Sequence, residues 1–234
     1  MPNSMSRRQF IASASAAGAL GSAVAYWGTA APARAAFVQA KNDRPLVAAI
    51  GVGGRGLHDT TWAAKFGDVV AVCDVDLNRA ERAKAALGGK PAVYQDYRKL
   101  LDAHPEVEVI VNGTVDHWHT AVNIAVCLAG KDLYAEKPLT LTIEEGQILS
   151  RVVRETGRIV QVGTQQRSSP HFRAACELVR NGRVGKLRQV VVLLPLYPAK
   201  GGPFVPQPVP PALNWDLWQG QAPERAFCPE RLHF

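Results

Sequence analysis

The sequence predicts an α/β fold, a parallel sheet covered by helices on both faces, followed by the start of an α+β domain with an open sheet. Three features carry this expectation. Short, continuously apolar and β-branched runs recur through residues 46–162; helix-length segments alternate with them; and a glycine-rich run separates the first apolar run from the first helical one. Strands this apolar are covered on both faces, and their alternation with helices argues for parallel pairing.

The first apolar run is Leu46–Ile50, followed by a helical segment over Gly56–Phe66. Val69–Cys73 is the next strand and ends in an acid; Leu77–Leu87 then has helical spacing, with Leu77, Ala80, Ala83 and Leu87 on one side. A short helix over Tyr97–Ala103 leads into the strand Val107–Val111. An apolar helix over Ala121–Ala129, a strand Asp132–Ala135, a helix Ile143–Glu155 and a strand Ile159–Val162 complete the series. Right-handed crossovers place every strand's carboxyl end on one edge of the sheet, where such folds bind ligands.

Beyond Val162 the pattern changes. Pro170–Asn181 reads as a helix and Leu187–Leu196 as one long strand, while residues 195–234 hold nine of the sixteen prolines. A lone strand can satisfy neither its backbone nor its apolar face. The expected division is therefore one α/β domain over residues 36–163 and an incomplete second domain over residues 164–234.

Composition narrows the function classes. With 47% hydrophobic and 20% charged residues the chain has the balance of a globular protein. Its net charge of +7 includes Arg7, Arg8 and Arg34, which have no acidic neighbour in the first 35 residues, so the remainder carries only +4. No basic cluster with interleaved aromatics occurs there, and nucleic acid is not an expected partner. Cys73, Cys127, Cys176 and Cys228 form no C-x-x-C pair, and no disulfide is expected. Residues 1–35 combine the arginine pair, an uncharged Ala, Gly and Ser-rich stretch and Ala33-Arg34-Ala35, which together describe an export signal with a small-x-small cleavage site. The pair resembles a twin-arginine signal, implying the twin-arginine machinery as a partner, a periplasmic or exported destination and no stable membrane span after cleavage.

Gly51-Val52-Gly53-Gly54-Arg55-Gly56 matches G-x-G-x-x-G between a strand and a helix. The first glycine permits the turn, the second lets amides approach a diphosphate, and the third allows helix and strand to pack closely. This is the fingerprint of a Rossmann dinucleotide-binding domain. Asp74 ends the second strand, 18 residues past Gly56, where a carboxylate accepts bonds from both ribose hydroxyls and repels a 2′-phosphate. NAD is favoured over NADP, with Arg55 and Arg79 near enough in sequence to soften the preference.

Three polar clusters follow three consecutive strands: Thr114-Val115-Asp116-His117-Trp118-His119, Glu136-Lys137-Pro138 and Gly163-Thr164-Gln165-Gln166-Arg167. Singly, His117 and His119 read equally as surface or capping histidines, Arg167 equally as the partner of a surface acid, and Lys137, less readily, as a solvated lysine. Their shared edge is what suggests a lined cleft. His117-x-His119 with Glu136 completes no metal-ligand spacing, so no metal is expected.

In this order, these motifs with Tyr94-x-Asp96-Tyr97 resemble the Gfo/Idh/MocA family, the glucose–fructose oxidoreductase and inositol dehydrogenase group, most closely its exported twin-arginine subgroup. The resemblance runs from about Leu46 to Tyr197, with a weaker echo at Asn214-Trp215-Asp216-x-Trp218. It implies hydride transfer between NAD(P) and a hydroxyl or carbonyl of a sugar, inositol or related polyol. It assigns Lys137 as the catalytic cation beside the reacting oxygen. Glu136, Thr114 and His117 join the glycine loop and Asp74 as coenzyme contacts, and Trp118, His119 and Arg167 line the substrate side. It also implies NAD(P) binding by residues 36–163, a substrate and oligomerisation role for the incomplete domain of residues 164–234, a bond before Pro138 that is often cis, and a homo-oligomer for a full-length form. The family's downstream Asp and His, the usual general base, have no counterpart before Phe234; His233 is not assigned that role. The expectation is an intact nucleotide site with weak or no turnover. Two alternatives stay open on these residues: an NAD-dependent glycoside hydrolase, and a nucleotide-binding protein without catalysis.

Overall fold

The computed structural model describes residues 44–194, 202 and 204–232, all within a unit that begins at Arg44. The twin-arginine segment, residues 36–43, Pro195, Leu196, Tyr197 and His233 lie outside the described residues. Six parallel strands form one sheet: β1 (Leu46–Ile50), β2 (Asp68–Cys73), β3 (Ala92–Tyr94), β4 (Val109–Asn112), β5 (Asp132–Ala135) and β6 (Val160–Val162). Their order is β3-β2-β1-β4-β5-β6. This is the doubly wound arrangement in which chain direction across the sheet reverses between β1 and β4, opening a crevice at their carboxyl ends.

Alternation along β1 builds a core on each face. Ala48 and Ile50 join Ala71, Leu100, Ile110, Val122 and Leu133 on one side; Val47 and Ala49 join Val52, Val72, Ala80, Ala83 and Val111 on the other. The helices in chain order are α1 (Gly54–Ala63), α2 (Leu77–Ala86), α3 (Tyr97–Ala103), α4 (His119–Leu128), α5 (Ile143–Thr156), α6 (Pro170–Arg180), α7 (Trp215–Gln219) and α8 (Pro229–Leu232). Their starts have local causes. Asp76 and Asp96 accept backbone N–H bonds from Asn78 and Arg98, capping α2 and α3. Thr142 and Glu145 form a reciprocal capping box at α5, whose end is set by left-handed Gly157.

Two expectations change. A third strand, Ala92–Tyr94, lies where none was read, and residues 187–194 form no strand. Val190–Leu194 are 67–87% exposed. Apolar, β-branched sequence supplies strand propensity, but a ladder needs a partner edge, and none meets this segment among the described residues. Instead the chain returns to the sheet later, where Leu213, Trp215 and Phe227 form a small buried cluster against Val75, Trp218 and Leu232.

Candidate functional site: the crevice at the sheet's carboxyl edge

The glycine loop leaves β1 and enters α1 at the reversal point. Gly51 has φ +76°, and a Cβ there would lie 2.4 Å from the Thr114 nitrogen, so the β1 and β4 ends approach at a distance only glycine allows. Gly56 is tighter still, its virtual Cβ falling 1.8 Å from the Gly51 carbonyl oxygen. Around Gly54 there is open space. Helix α1 has Gly53 as its cap, no side chain bonded to its leading amides and no acid in its first turn. Free N–H groups and the positive end of the helix dipole thus face the crevice, the arrangement that suits a diphosphate.

Asp74 follows β2 and is 8% exposed. Its two carboxylate oxygens accept backbone N–H bonds from Val52 and Asp76, each at 3.0 Å. The group therefore pins the glycine loop to the end of β2 while each oxygen keeps a lone pair for another donor. Burial pushes its carboxyl above the usual range, opposed by the Asp76 amide, Arg79 and the Val52 amide. Desolvation makes the charge costly, and hydroxyl donors from a ribose would relieve it.

At β5 a different cluster forms. Glu136 is 3% exposed, accepts the Lys137 amide at 3.0 Å and is bonded by the Gln165 side-chain amide. Arg55 from α1 lies 3.5 Å from Glu136 and bonds Asp59 at 3.0 Å and 3.2 Å. Burial raises the Asp59 carboxyl, His58 lowers it, and the neighbouring Glu136 raises it again. One guanidinium shared by two buried carboxylates ties the coenzyme-loop helix to the Glu136-Lys137-Pro138 turn, whose Lys137–Pro138 peptide is cis. Lys137 itself is exposed.

A cleft of about 720 Å³ opens between the glycine loop, the ends of β2 and β4 and the returning C-terminal segment. Gly51, Gly53, Gly54, Arg55, Asp74, Thr114, His117 and Trp118 line it. Gly56 sits behind the loop as packing. Glu136 and Lys137 stand on the same edge but outside this cleft. Two of the residues expected on the substrate side, His119 and Arg167, do not line this cleft. His119 is 1% exposed, its ring nitrogens on the backbone carbonyls of Thr114 and Pro138, because the first turn of α4 turns its side chain inward. Arg167 is exposed in the turn after β6 and does not line the cleft. Sequence reading passed over Asp59, and over Gln95, Leu213 and Leu217, which do line the cleft. Only the Asn214-Trp215-Asp216-x-Trp218 echo, whose open position is Leu217, hinted at any of these. Among the described residues no group of three His, Cys, Asp or Glu side chains is arranged to hold a metal, and no helix is long and apolar enough to cross a membrane.

Residues 46–164 match the family described as "Oxidoreductase family, NAD-binding Rossmann fold". Inositol 2-dehydrogenase/D-chiro-inositol 3-dehydrogenase of Lactiplantibacillus plantarum is 31% identical over 136 residues, 58% of this chain and 39% of that protein. The scyllo-inositol 2-dehydrogenase (NAD(+)) of Bacillus subtilis is 35% identical over 118 residues, 50% of this chain and 34% of the relative. The crystal structure of myo-inositol 2-dehydrogenase from Lactobacillus plantarum superposes with a TM-score of 0.57 at 29% identity, covering 62% of this chain and 43% of that one. The matched region thus spans well under half the length of these relatives.

Proposed function

The chain belongs to the Gfo/Idh/MocA oxidoreductase family, and from that premise we propose that it is an NAD-dependent oxidoreductase acting on a hydroxyl or carbonyl of a polyol, of the inositol or sugar class. The observation that carries this reading is the pairing of an uncapped, acid-free helix start with a buried carboxylate 18 residues past Gly56, both on one cleft. These residues fit the coenzyme. The amides at Gly53 and Gly54 would hold the diphosphate and Asp74 the adenosine ribose, whose 2′-hydroxyl it would bind and whose 2′-phosphate it would repel. Bound there, NAD supplies the hydride acceptor.

The chain's own part is positioning and charge. Lys137, held by a turn whose amide bonds Glu136, presents an ammonium that stabilises the negative charge developing on the reacting oxygen. Glu136 stays buried against Arg55 and Gln165, fixing that turn relative to the glycine-loop helix. We propose in addition an exported destination, which Arg7-Arg8 and the uncharged stretch after them support as a twin-arginine route. A reporter fused to residues 1–35 should be exported, and should stay inside when both arginines become lysine.

Calorimetry of the chain with NAD and NADH tests the central claim, and binding is expected for both. Asp74→Ala should weaken it about 30-fold or more through loss of charge-assisted hydrogen bonds. Absence of heat from either coenzyme form would overturn the assignment. With a panel of inositols and sugars, NADH appearance that vanishes in Lys137→Ala would identify the substrate class.

A further inference from the structure

The glycine loop, Asp74 and the β4 end account for one side of the cleft. The other side is built by residues that the family match, ending at residue 164, does not include. The chain returns from residue 204 onward and is bound to the sheet's edge at two places. Near β2, Asn214 donates to the Val75 carbonyl and Leu77 to the Ala212 carbonyl, each at 2.9 Å, forming an isolated antiparallel bridge between Asp76 and Leu213. Gln95 reinforces it by donating to both the Val75 and Ala212 carbonyls, at 3.0 and 3.1 Å. Beyond β4, the Trp218 carbonyl accepts from Trp118 Nε1 at 3.1 Å and from His117 Nε2 at 2.8 Å. Gly220 lies against the Trp118 ring so closely that a Cβ would fall 2.4 Å from it. Between these anchors, Leu213, Leu217 and Trp218 face the cleft.

We propose that Ala212–Leu232 is a strap forming the outer wall of the coenzyme's adenosine site. This role for the strap rests on the NAD-binding reading and extends it. Adenine is flat and apolar on its faces, and in a doubly wound sheet it lies between the loops after the second and fourth strands. Those are the two loops the strap ties together. Leu213, Leu217, Trp218 and Leu232 give its cleft side an apolar surface beside the charged Glu230 and Arg231, the bridge at Leu213 sets it on the Asp74 side, and Glu136 and Lys137 are absent from the same cleft. The strap therefore serves the coenzyme rather than the substrate. Its own packing, through Leu213, Trp215 and Phe227, holds the wall in place before a ligand arrives.

The test uses the whole chain with three probes: NADH, AMP and nicotinamide mononucleotide. Leu217 faces the cleft but lies outside the strap's buried cluster, so Leu217→Ala and Leu217→Glu alter the wall with least harm to its anchoring. NADH and AMP should weaken by a common factor, about tenfold for Ala and more for Glu, with the mononucleotide unchanged. The stacked Trp215–Trp218 pair, 4.7 Å between centroids, gives a near-ultraviolet circular dichroism signal that reports whether the strap stays seated. With the signal retained, AMP affinity within twofold of the parent overturns the proposal, as does a loss confined to the mononucleotide. If the signal is lost, the strap has lifted; AMP must then weaken further, and unchanged AMP binding again overturns it. A parent chain that binds neither NADH nor AMP sinks the coenzyme assignment itself, a different result from binding that ignores the strap.

Discussion

Residues 170–194 and residues 204–232 make an instructive pair. The first has the stronger patterning: α6 is amphipathic, and the segment after it is a run of valines and leucines. Yet every residue of 170–194 is exposed, Phe172 and Leu178 to 55% and 51%. The second is crowded with proline and shows no periodicity, yet Leu213, Trp215, Phe227 and Cys228 are buried. Propensity proposes an element, but a complementary surface decides whether it packs. The strap finds free carbonyls, amides and apolar faces at the ends of β2 and β4. The earlier segment finds none among the described residues.

Substitutions can sharpen or break this contrast. The largest loss should come from the sheet unit: Leu100, fully buried in α3, should cost about 3 kcal/mol as Ala in urea or thermal unfolding. Phe227→Ala in the strap should cost about 2 kcal/mol, less because the cluster is small and can relax. A value near zero would show that the strap is not seated in solution.

Asp59→Asn should alter the pH dependence. A carboxyl whose folded-state value is raised above 3.8 binds its proton more tightly in the folded chain, so stability falls as pH rises from that value through the raised one. The Asn variant should lose that falling component, seen as a flatter stability profile across urea melts between about pH 4 and 7. A steeper profile would mean that Arg55 over-compensates the burial. Smallest of all, Leu178→Ala in α6 should change stability by less than about 0.5 kcal/mol. A cost like that of Leu100 would show that this helix has a partner after all.

Much of the sheet was legible because its strands are covered on both faces, which makes β1, β2, β4 and β5 conspicuous as apolar runs. Strand β3 escaped because it is three residues long and only half-buried. The glycine loop and Asp74 were legible for a local reason: turn, helix start and acid follow one another along a single β-α-β unit. Side-chain direction was not. His119 was placed at the right edge, but which way the first turn of a helix aims a ring depends on the carbonyls it meets, here those of Thr114 and Pro138. Asp59, one turn into α1, reads as an ordinary solvated acid until Arg55 and Glu136 are brought beside it. The strap depends on hydrogen bonds between residues about a hundred positions apart, such as His117 with Trp218, which no local pattern encodes.

The double grip of Asp74 on the Val52 and Asp76 amides bears on redesign of coenzyme preference. The usual first move toward a phosphorylated ribose is to delete the acid and add a cation nearby. In this protein that deletion would also unmoor the backbone of the turn that cradles the diphosphate, so affinity for either dinucleotide would drop together. A successful swap would have to replace both lost anchors, for instance with a neutral side chain that still accepts from two amides, before selectivity could be traded at all.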